Sequence, residues 1–510
     1  MSAAGRTGAP RVVVVGAGIG GRTAAIRLAV AGARVTVCER ADAPGGKMGE
    51  VRAAGFRWDT GPSVITMRPV LAELFAAAGT RLEDALDLVP VDPLTRYLWD
   101  DGTRLDLARD PDAMLAAIAA IAPRDVDGWR AFLDEARRIH AVAGTAFIYG
   151  DPPGLGTVRR VPLRAASVLA PWRTMDAAIA RHLRSPYLRQ LAGRFATYVG
   201  ASPFRAPATL NVIAHVELNA GVWYPRGGVA AIARALTDLA IRHGVEIRTG
   251  AEVTAIGVRD GRATGVTLAD GTAIAADGVV ANVDVATVLR DLLPARSVPR
   301  RAVRAAERAP VSLSGFSLLL GVRGRTEPLA HHTICFSRDY RAEFRDLFDR
   351  GLPPREPTVY LALTCRTDPE HAPAGDENWF VLVNAPPLGP AFGWTDAEAA
   401  GERDRVLDRL GAFGLDPRGR IAVERRWTPA DLARTGAWRG ALYGRSSNER
   451  LSAFRRAPNR SPHVRGLWQA GGTTHPGGGV PMVMLSGRRA ARLAAADLGL
   501  RAPEADLLPE

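Results

Sequence analysis

The sequence predicts an α/β fold headed by a parallel strand–helix–strand unit, and three observations carry that prediction. Four consecutive valines (Val12 to Val15) run straight into Gly16, Gly18 and Gly21. An alanine-rich apolar run follows from Arg22 to Ala31. A second apolar strand, Arg34 to Cys38, then stops on Glu39. Strand, glycine turn, helix, strand and acid, in that order, are what a dinucleotide-binding βαβ unit requires. Gly16 permits the tight turn, Gly18 lets the backbone approach a pyrophosphate, and Gly21 lets the helix pack close on the strand. The helix N-terminus offers free N–H groups to the phosphate charge. Glu39 would accept hydrogen bonds from a ribose 2′-hydroxyl and repel a 2′-phosphate, which disfavours NADP.

Beyond this unit, residues 67–140 alternate helical runs (Val70–Ala78, Asp112–Ile121, Val126–Ala141) with strand-like pieces at Arg96–Trp99 and Arg104–Leu107. Pro152, Pro153, Gly154 and Gly156 mark a loop. Residues 159–205 carry nine arginines and one acid, Asp176. Within them Ile179, Leu183, Tyr187, Leu191 and Phe195 recur every four residues while Arg181, Arg184 and Arg194 point elsewhere. This is a basic amphipathic pattern interrupted at Pro186. It suits either a helix packed on the core with a solvated arginine face or a face resting on an anionic membrane surface. Ala230–His243 reads as a helix. Val245–Arg248, Glu252–Arg259, Thr264–Leu268 and Gly278–Ala281 read as strands, with turns at Asp260-Gly261 and Asp270-Gly271. Residues 311–322, Thr358–Thr364 and Trp379–Asn384 form the strands of a second lobe. The chain closes on strand Gly466–Ala470, the segment GGTTHPGGGVPM and a helix over Val483–Ala496.

Composition narrows the function. A chain of 510 residues, 47% hydrophobic, has room for about two to four domains. Cys38, Cys335 and Cys365 lie far apart with no C-x-x-C, which argues against a disulfide framework or a zinc site and fits a reducing compartment. The apolar stretch Val12–Ala31 is as long as a membrane span but is spent on the glycine turn. The start, MSAAGRTGAP, does not look like a signal peptide, so a cytoplasmic location is expected. Net charge is +13, and Lys47 is the only lysine among 66 basic residues. No zinc-finger spacing, aromatic RNP-like strand or basic zipper accompanies that charge, so nucleic acid is not expected as a partner. No histidine–carboxylate cluster suggests a metal, and none is expected.

The two glycine-rich ends, the Glu-terminated strand and the PGGK that follows it are similar to the two-dinucleotide-binding-domain flavoproteins. Within them, the chain resembles the bacterial carotenoid (phytoene) desaturase family of FAD-dependent oxidoreductases along nearly its whole length. The likeness is carried by Trp58–Thr66 (WDTGPSVIT), Ser185–Gln190 (SPYLRQ), Gly221–Gly228 (GVWYPRGG), Ala281–Val285 (ANVDV), Leu329–Phe336 (LAHHTICF) and Gly471–Met482 (GGTTHPGGGVPM). GVPM and Phe195–Leu210 resemble most the 1-hydroxycarotenoid 3,4-desaturase (methoxyneurosporene dehydrogenase) branch.

The resemblance implies a Rossmann-like FAD-binding domain, a mixed-sheet substrate domain and a helical membrane-facing part. The FAD-binding domain would be discontinuous (1–79, 225–300 and 460–500). Residues 80–224 and 301–459 would form the substrate-binding, membrane-associated region, and 501–510 a flexible tail. FAD would be bound non-covalently. Gly16, Gly18 and Gly21 would cradle its pyrophosphate, Glu39 would hold the ribose, and Arg40, Gly45, Gly46 and Lys47 would run towards the flavin. Asp59, Thr60, Gly61 and Pro62 would line the flavin end, and Val253 would meet the adenine. Gly471 and Gly472 would approach the ribityl phosphate, and Gly479, Val480, Pro481 and Met482 would face the flavin C2 carbonyl from a helix start.

The implied reaction removes two hydrogens from an acyclic C40 polyene, with hydride passing to flavin N5, most simply at C3–C4 of a 1-hydroxycarotenoid. His331, His332 and His475 are the candidate bases, each also readable as a structural histidine. Quinone or oxygen would reoxidise the flavin, and residues 159–205 would dock the protein peripherally on a membrane. Multi-step phytoene desaturation, carotenoid isomerisation, amine oxidation, a non-enzymatic flavin carrier and an NAD-dependent dehydrogenase are the alternatives. The last lacks a second G-x-G-x-x-G.

Overall fold

The computed structural model describes residues 8–152 and 168–505. Pro153, Gly154, Gly156, Arg159, Arg160, Arg164 and residues 506–510 of the expected tail lie outside the described residues.

A five-stranded parallel sheet forms the head of the molecule, in the order Leu467–Gln469, Gly278–Ala281, Arg11–Val15, Arg34–Cys38, Glu246–Arg248. A parallel sheet is covered on both faces, so its inner strands are largely apolar rather than alternating, while the edge strand Glu246–Arg248 is charged at both ends. The four valines show why. Val12 and Val14 face a core shared with helices Ile19–Val30, Val229–Arg242 and Val480–Asp497. Val13 and Val15 face the opposite core, closed by an antiparallel meander of Val253–Arg259, Arg262–Leu268 and Ala273–Ala275. Asp260 and Gly261 join the first two meander strands with φ of 51° and 69°, the conformation of a type I′ hairpin turn.

The second sheet has seven strands, in the order Ile421–Trp427, Ser314–Val322, Glu377–Ala385, Val359–Ala362, His332–Cys335, Thr95–Leu98, Arg104–Leu107. It is mixed, because Thr95–Leu98 runs parallel to His332–Cys335 while the other pairs are antiparallel. The strands His332–Cys335 and Ile421–Trp427 escape the sequence reading. The first is short, and arginines and a glutamate interrupt the second. Helices Pro111–Ile121, Val126–Ala143 and Pro186–Gly193 pack beside this sheet around one core.

Among the described residues of the basic amphipathic stretch, Met175–Ile179 and Pro186–Gly193 are helices, and a 3-10 turn follows over Arg194–Val199. Pro186 opens the second helix, at the position where a missing N–H costs nothing. Ile179, Leu183, Leu191 and Phe195 are buried, and Arg181 and Arg184 are exposed. Arg194, expected on the solvated face, is instead 5% exposed. Among the described residues no helix is long and apolar enough to cross a membrane.

Residues 501–505, expected as part of a free tail, are tied to the head. Arg27 Nη1 donates to the Pro503 carbonyl at 2.9 Å, and the Ala505 N–H donates to Glu73 Oε1 at 3.2 Å. Arg27 and Glu73 pair with each other, 1% and 2% exposed. Burial lowers the Arg27 pKa, and the Glu73 carboxylate opposes that shift. Removing one partner of such a pair leaves an uncompensated buried charge. Glu73→Ala is therefore expected to destabilise the protein by about 3–5 kcal/mol, read as a lower urea midpoint; an unchanged midpoint contradicts the account.

Candidate active site

The carboxyl ends of the parallel strands open into one cavity of about 2050 Å³, roughly twice the upper end of the 300–1,000 Å³ usual for a single small ligand. Two helices start at its wall. Ile19–Val30 begins after Gly18 and Val480–Asp497 after Gly479, and neither has a side-chain cap. Their first N–H groups are therefore free to meet an anion or a carbonyl oxygen.

Close approach to Asn282 explains the glycines. A Cβ on Gly18 would stand 2.8 Å from Asn282 Nδ2, and one on Gly16 3.0 Å from the Asn282 carbonyl oxygen. A Cβ on Gly471 would meet Asn282 Oδ1 at 3.0 Å. Asn282, directly after strand Gly278–Ala281, is thus the post around which both glycine segments wrap. It lines the cavity. The motif Ala281–Val285 contains it, and its place at the carboxyl end of a parallel strand is the signal in the sequence that marks it as a site residue.

Glu39 lines the cavity with both carboxylate oxygens fixed. Oε2 accepts from the Ala17 N–H at 2.7 Å and Oε1 from the Ala41 N–H at 3.0 Å. Each oxygen keeps a further lone pair, the arrangement a ribose diol needs. Gly45 donates its N–H to the Ala17 carbonyl at 3.2 Å, which folds the Gly45–Lys47 loop over the glycine turn. Lys47 Nζ reaches across the cavity to the Leu442 carbonyl at 2.9 Å. The surrounding protein lowers its pKa, and Asp284 opposes that shift. Arg40, Gly46, Thr60, Gly61, Pro62, Val253, Gly472, Gly479, Val480, Pro481 and Met482 also line the cavity. The free donors, the glycine cradle and the fixed carboxylate fit a dinucleotide whose two ends need separate contacts.

Two expected cofactor residues lie off the cavity wall. Gly21 sits behind it, where a side chain would collide with the Gly16 carbonyl; its role is helix packing. Asp59 is 6% exposed, accepts from Arg57 Nη2 at 3.0 Å and from the Val229 and Ala230 N–H groups. It anchors the start of helix Val229–Arg242, and burial raises its pKa. The family resemblance implied a place at the flavin end, but Asp59, the last residue of the strand Phe56–Asp59, has its side chain buried.

The three histidines divide. His331 and His332 do not line the cavity. His331 Nδ1 lies 2.6 Å from Thr367 Oγ1, and His332 Nδ1 lies 2.8 Å from the Tyr360 hydroxyl. Tyr360 does line it, with Ser63 Oγ 2.6 Å from its hydroxyl. His475 lines the cavity but is 3% exposed. Burial lowers all three pKa values, His331 to about 4 and His475 to about 3, with His332 well below its ordinary value. None is matched to holding a proton at neutral pH. Arg456, Tyr198 and Arg194 also reach the cavity and escaped the sequence reading as site residues. Arg456 Nη2 donates to Ser447 Oγ at 3.1 Å and Nη1 to the Gly472 carbonyl at 3.4 Å, bracing the second glycine segment. Among the described residues no group of His, Cys, Asp and Glu could hold a metal ion.

Comparison with known proteins completes the description. The family model of flavin containing amine oxidoreductase matches residues 19–495. A hydroxyneurosporene desaturase from Rubrivivax gelatinosus is 40% identical over 495 residues, covering 96% of this chain and 94% of that protein. A 4,4'-diapolycopene oxygenase from a Methylomonas species is 36% identical, covering 96% and 98%. A solved oxidoreductase from Methanosarcina mazei has a TM-score of 0.64 at 19% identity, covering 94% of this chain and 99% of that one; at that identity the likeness concerns the fold. Hydrogen bonds to a charged group contribute about 1.5–3 kcal/mol. Glu39→Ala is accordingly expected to raise the Kd for FAD about 10- to 100-fold in a flavin-fluorescence titration, with the circular dichroism spectrum unchanged. Retention of wild-type affinity contradicts the assignment.

Proposed function

This chain belongs to the flavin-containing amine oxidoreductases and to their carotenoid desaturase group, and from that premise we propose that it is an FAD-dependent desaturase introducing the C3–C4 double bond of a 1-hydroxylated acyclic carotenoid. The observation that carries the reading is that one cavity is lined both by the glycine cradle and by apolar side chains, among them Val64, Ile148, Val212, Ile213, Leu319 and Phe380. The relative of similar length named hydroxyneurosporene desaturase supports the finer substrate.

FAD, when bound, would supply the acceptor for a hydride, two electrons with one proton, while the second hydrogen leaves the adjacent carbon as a proton. The chain's own residues position and enclose. The apolar walls hold a hydrocarbon by area alone and exclude water. Ser63 and His332 hold the Tyr360 hydroxyl from two sides at the wall.

A membrane-soluble substrate needs an entry. Trp172, Leu451 and Phe454 are 51%, 55% and 39% exposed. Phe454 lines the cavity and meets Phe147 edge-on at 5.9 Å, and Arg450 and Arg455 flank it, both exposed. We assign this apolar, basic rim to peripheral contact with an anionic bilayer; Arg181 and Arg184 of the 159–205 segment, also exposed, stand by the start of helix Val126–Ala143, away from Phe147.

Incubation of the FAD-loaded protein with 1-hydroxyneurosporene in liposomes is expected to yield a product lighter by two hydrogens with a red-shifted absorption. An unchanged mass would mark an isomerase, and a gain of oxygen an oxygenase like the Methylomonas relative. For the rim, replacing Trp172 and Phe454 with Ser is expected to reduce recovery with floated anionic liposomes at least several-fold. Undiminished recovery rejects this surface.

A further inference from the structure

A cavity built only for a hydrocarbon has no use for a buried ion pair in its wall, because desolvating two charges costs more than apolar packing of the same volume. This cavity has one. Arg194 and Tyr198 line it. Behind them stand Glu217, 1% exposed, and Tyr97, fully buried. Arg194 Nη2 pairs with Glu217 Oε1, and the Tyr198 hydroxyl donates to Glu217 Oε2. Arg194 Nε and Nη2 donate to the Tyr97 hydroxyl at 2.9 Å and 2.6 Å. The guanidinium also stands 4.5 Å from the Phe195 ring centre, and Tyr97 stacks on Phe336 at 5.8 Å. The cluster is held rigid from behind.

Counting its hydrogen bonds shows what remains. Arg194 has five N–H donors. One on Nε and two on Nη2 are used, and Nη1 spends one on the Tyr198 hydroxyl at 3.3 Å, leaving one. The Tyr198 oxygen gives its proton to Glu217 and one lone pair to Arg194, leaving one lone pair. A spare donor beside a spare acceptor, on two side chains that both face the cavity, is the complement of one alcohol group.

Its location is equally specific. Ser63 follows Thr60–Pro62 at the flavin end and bonds Tyr360. Tyr360 in turn lies close enough to Arg194 and Glu217 for their charges to act on its hydroxyl. A hydroxyl at C1 of an acyclic carotenoid is only two carbon–carbon bonds from C3, so a site that reads it must lie close to the reacting bond.

We propose that Arg194 and Tyr198, held by Glu217 and Tyr97, form the specificity subsite that binds the C1 hydroxyl of the substrate and sets the C3–C4 bond in register. The inference rests on the desaturase reading above and adds the residues that select the hydroxylated chain. Arg194 Nη1 donates to the alcohol oxygen, and the alcohol donates to the Tyr198 oxygen.

The test compares kcat/KM for 1-hydroxyneurosporene and for hydroxyl-free neurosporene, with the full FAD-loaded chain in liposomes. Wild type is expected to favour the hydroxylated polyene by at least about tenfold. Tyr198→Phe, which keeps the ring and removes the oxygen, should erase most of that preference by slowing the hydroxylated substrate alone. The charge-neutral pair Arg194→Gln with Glu217→Gln should do the same. Substrate binding followed by tryptophan quenching should lose the same discrimination without turnover. An equal fall on both polyenes in Tyr198→Phe shows a structural role and overturns the proposal, as does an undiminished preference. A wild type that desaturates both polyenes equally well overturns it while leaving the desaturase reading standing. A wild type that converts neither overturns both.

Discussion

Helices Ile19–Val30 and Val480–Asp497 cross at Gly20 and Gly487, so closely that a methyl group on Gly487 would collide with the Gly20 carbonyl oxygen. The site depends on this approach. It lays the last described helix against the first described one and brings their two uncapped N-termini to the same cavity. Glycine segments more than 400 residues apart can then share Asn282 as a common post. Without this crossing, the nucleotide cradle and the second glycine segment would belong to separate surfaces.

The arginines form the second organising theme. A chain with one lysine among 66 basic residues looks from composition like a solvated cationic surface. Among the described residues six of its arginines, Arg22, Arg27, Arg57, Arg194, Arg409 and Arg489, are instead buried. Arg22 is fully buried in helix Ile19–Val30 and donates to Thr237 Oγ1 at 2.9 Å, tying two helices together. Arg27, Arg57 and Arg194 each join a buried carboxylate to a backbone carbonyl or a phenol. A planar guanidinium with five donors can satisfy several buried acceptors at once, which an ammonium on a flexible stem does less well.

How much of this was legible in the sequence follows from how local each signal is. Strands Arg11–Val15 and Arg34–Cys38 and the turn at Gly16–Gly21 are written in adjacent residues, as are the Asp260-Gly261 hairpin and the helix near Val229–Arg242. The family likeness then suggested which distant glycines share a cofactor. Side-chain direction was not legible. Asp59 ends the buried strand Phe56–Asp59, and its partners at the start of helix Val229–Arg242 lie far away in sequence. Arg194 continues a run of exposed arginines, and its partners Glu217 and Tyr97 lie 23 and 97 residues away. Asn282 and Arg456 are likewise defined by what crosses them in space.

The central claim is that the two ends of the cavity work together, an electron acceptor held at the glycine cradle and a polyene at the apolar walls. Anaerobic titration of the FAD-loaded protein with 1-hydroxyneurosporene, followed by visible absorbance, tests it most directly. The account predicts bleaching of the oxidised flavin band as the polyene spectrum shifts to the red, in equal amounts. A flavin that stays oxidised with the polyene yet bleaches on addition of an amine would contradict it.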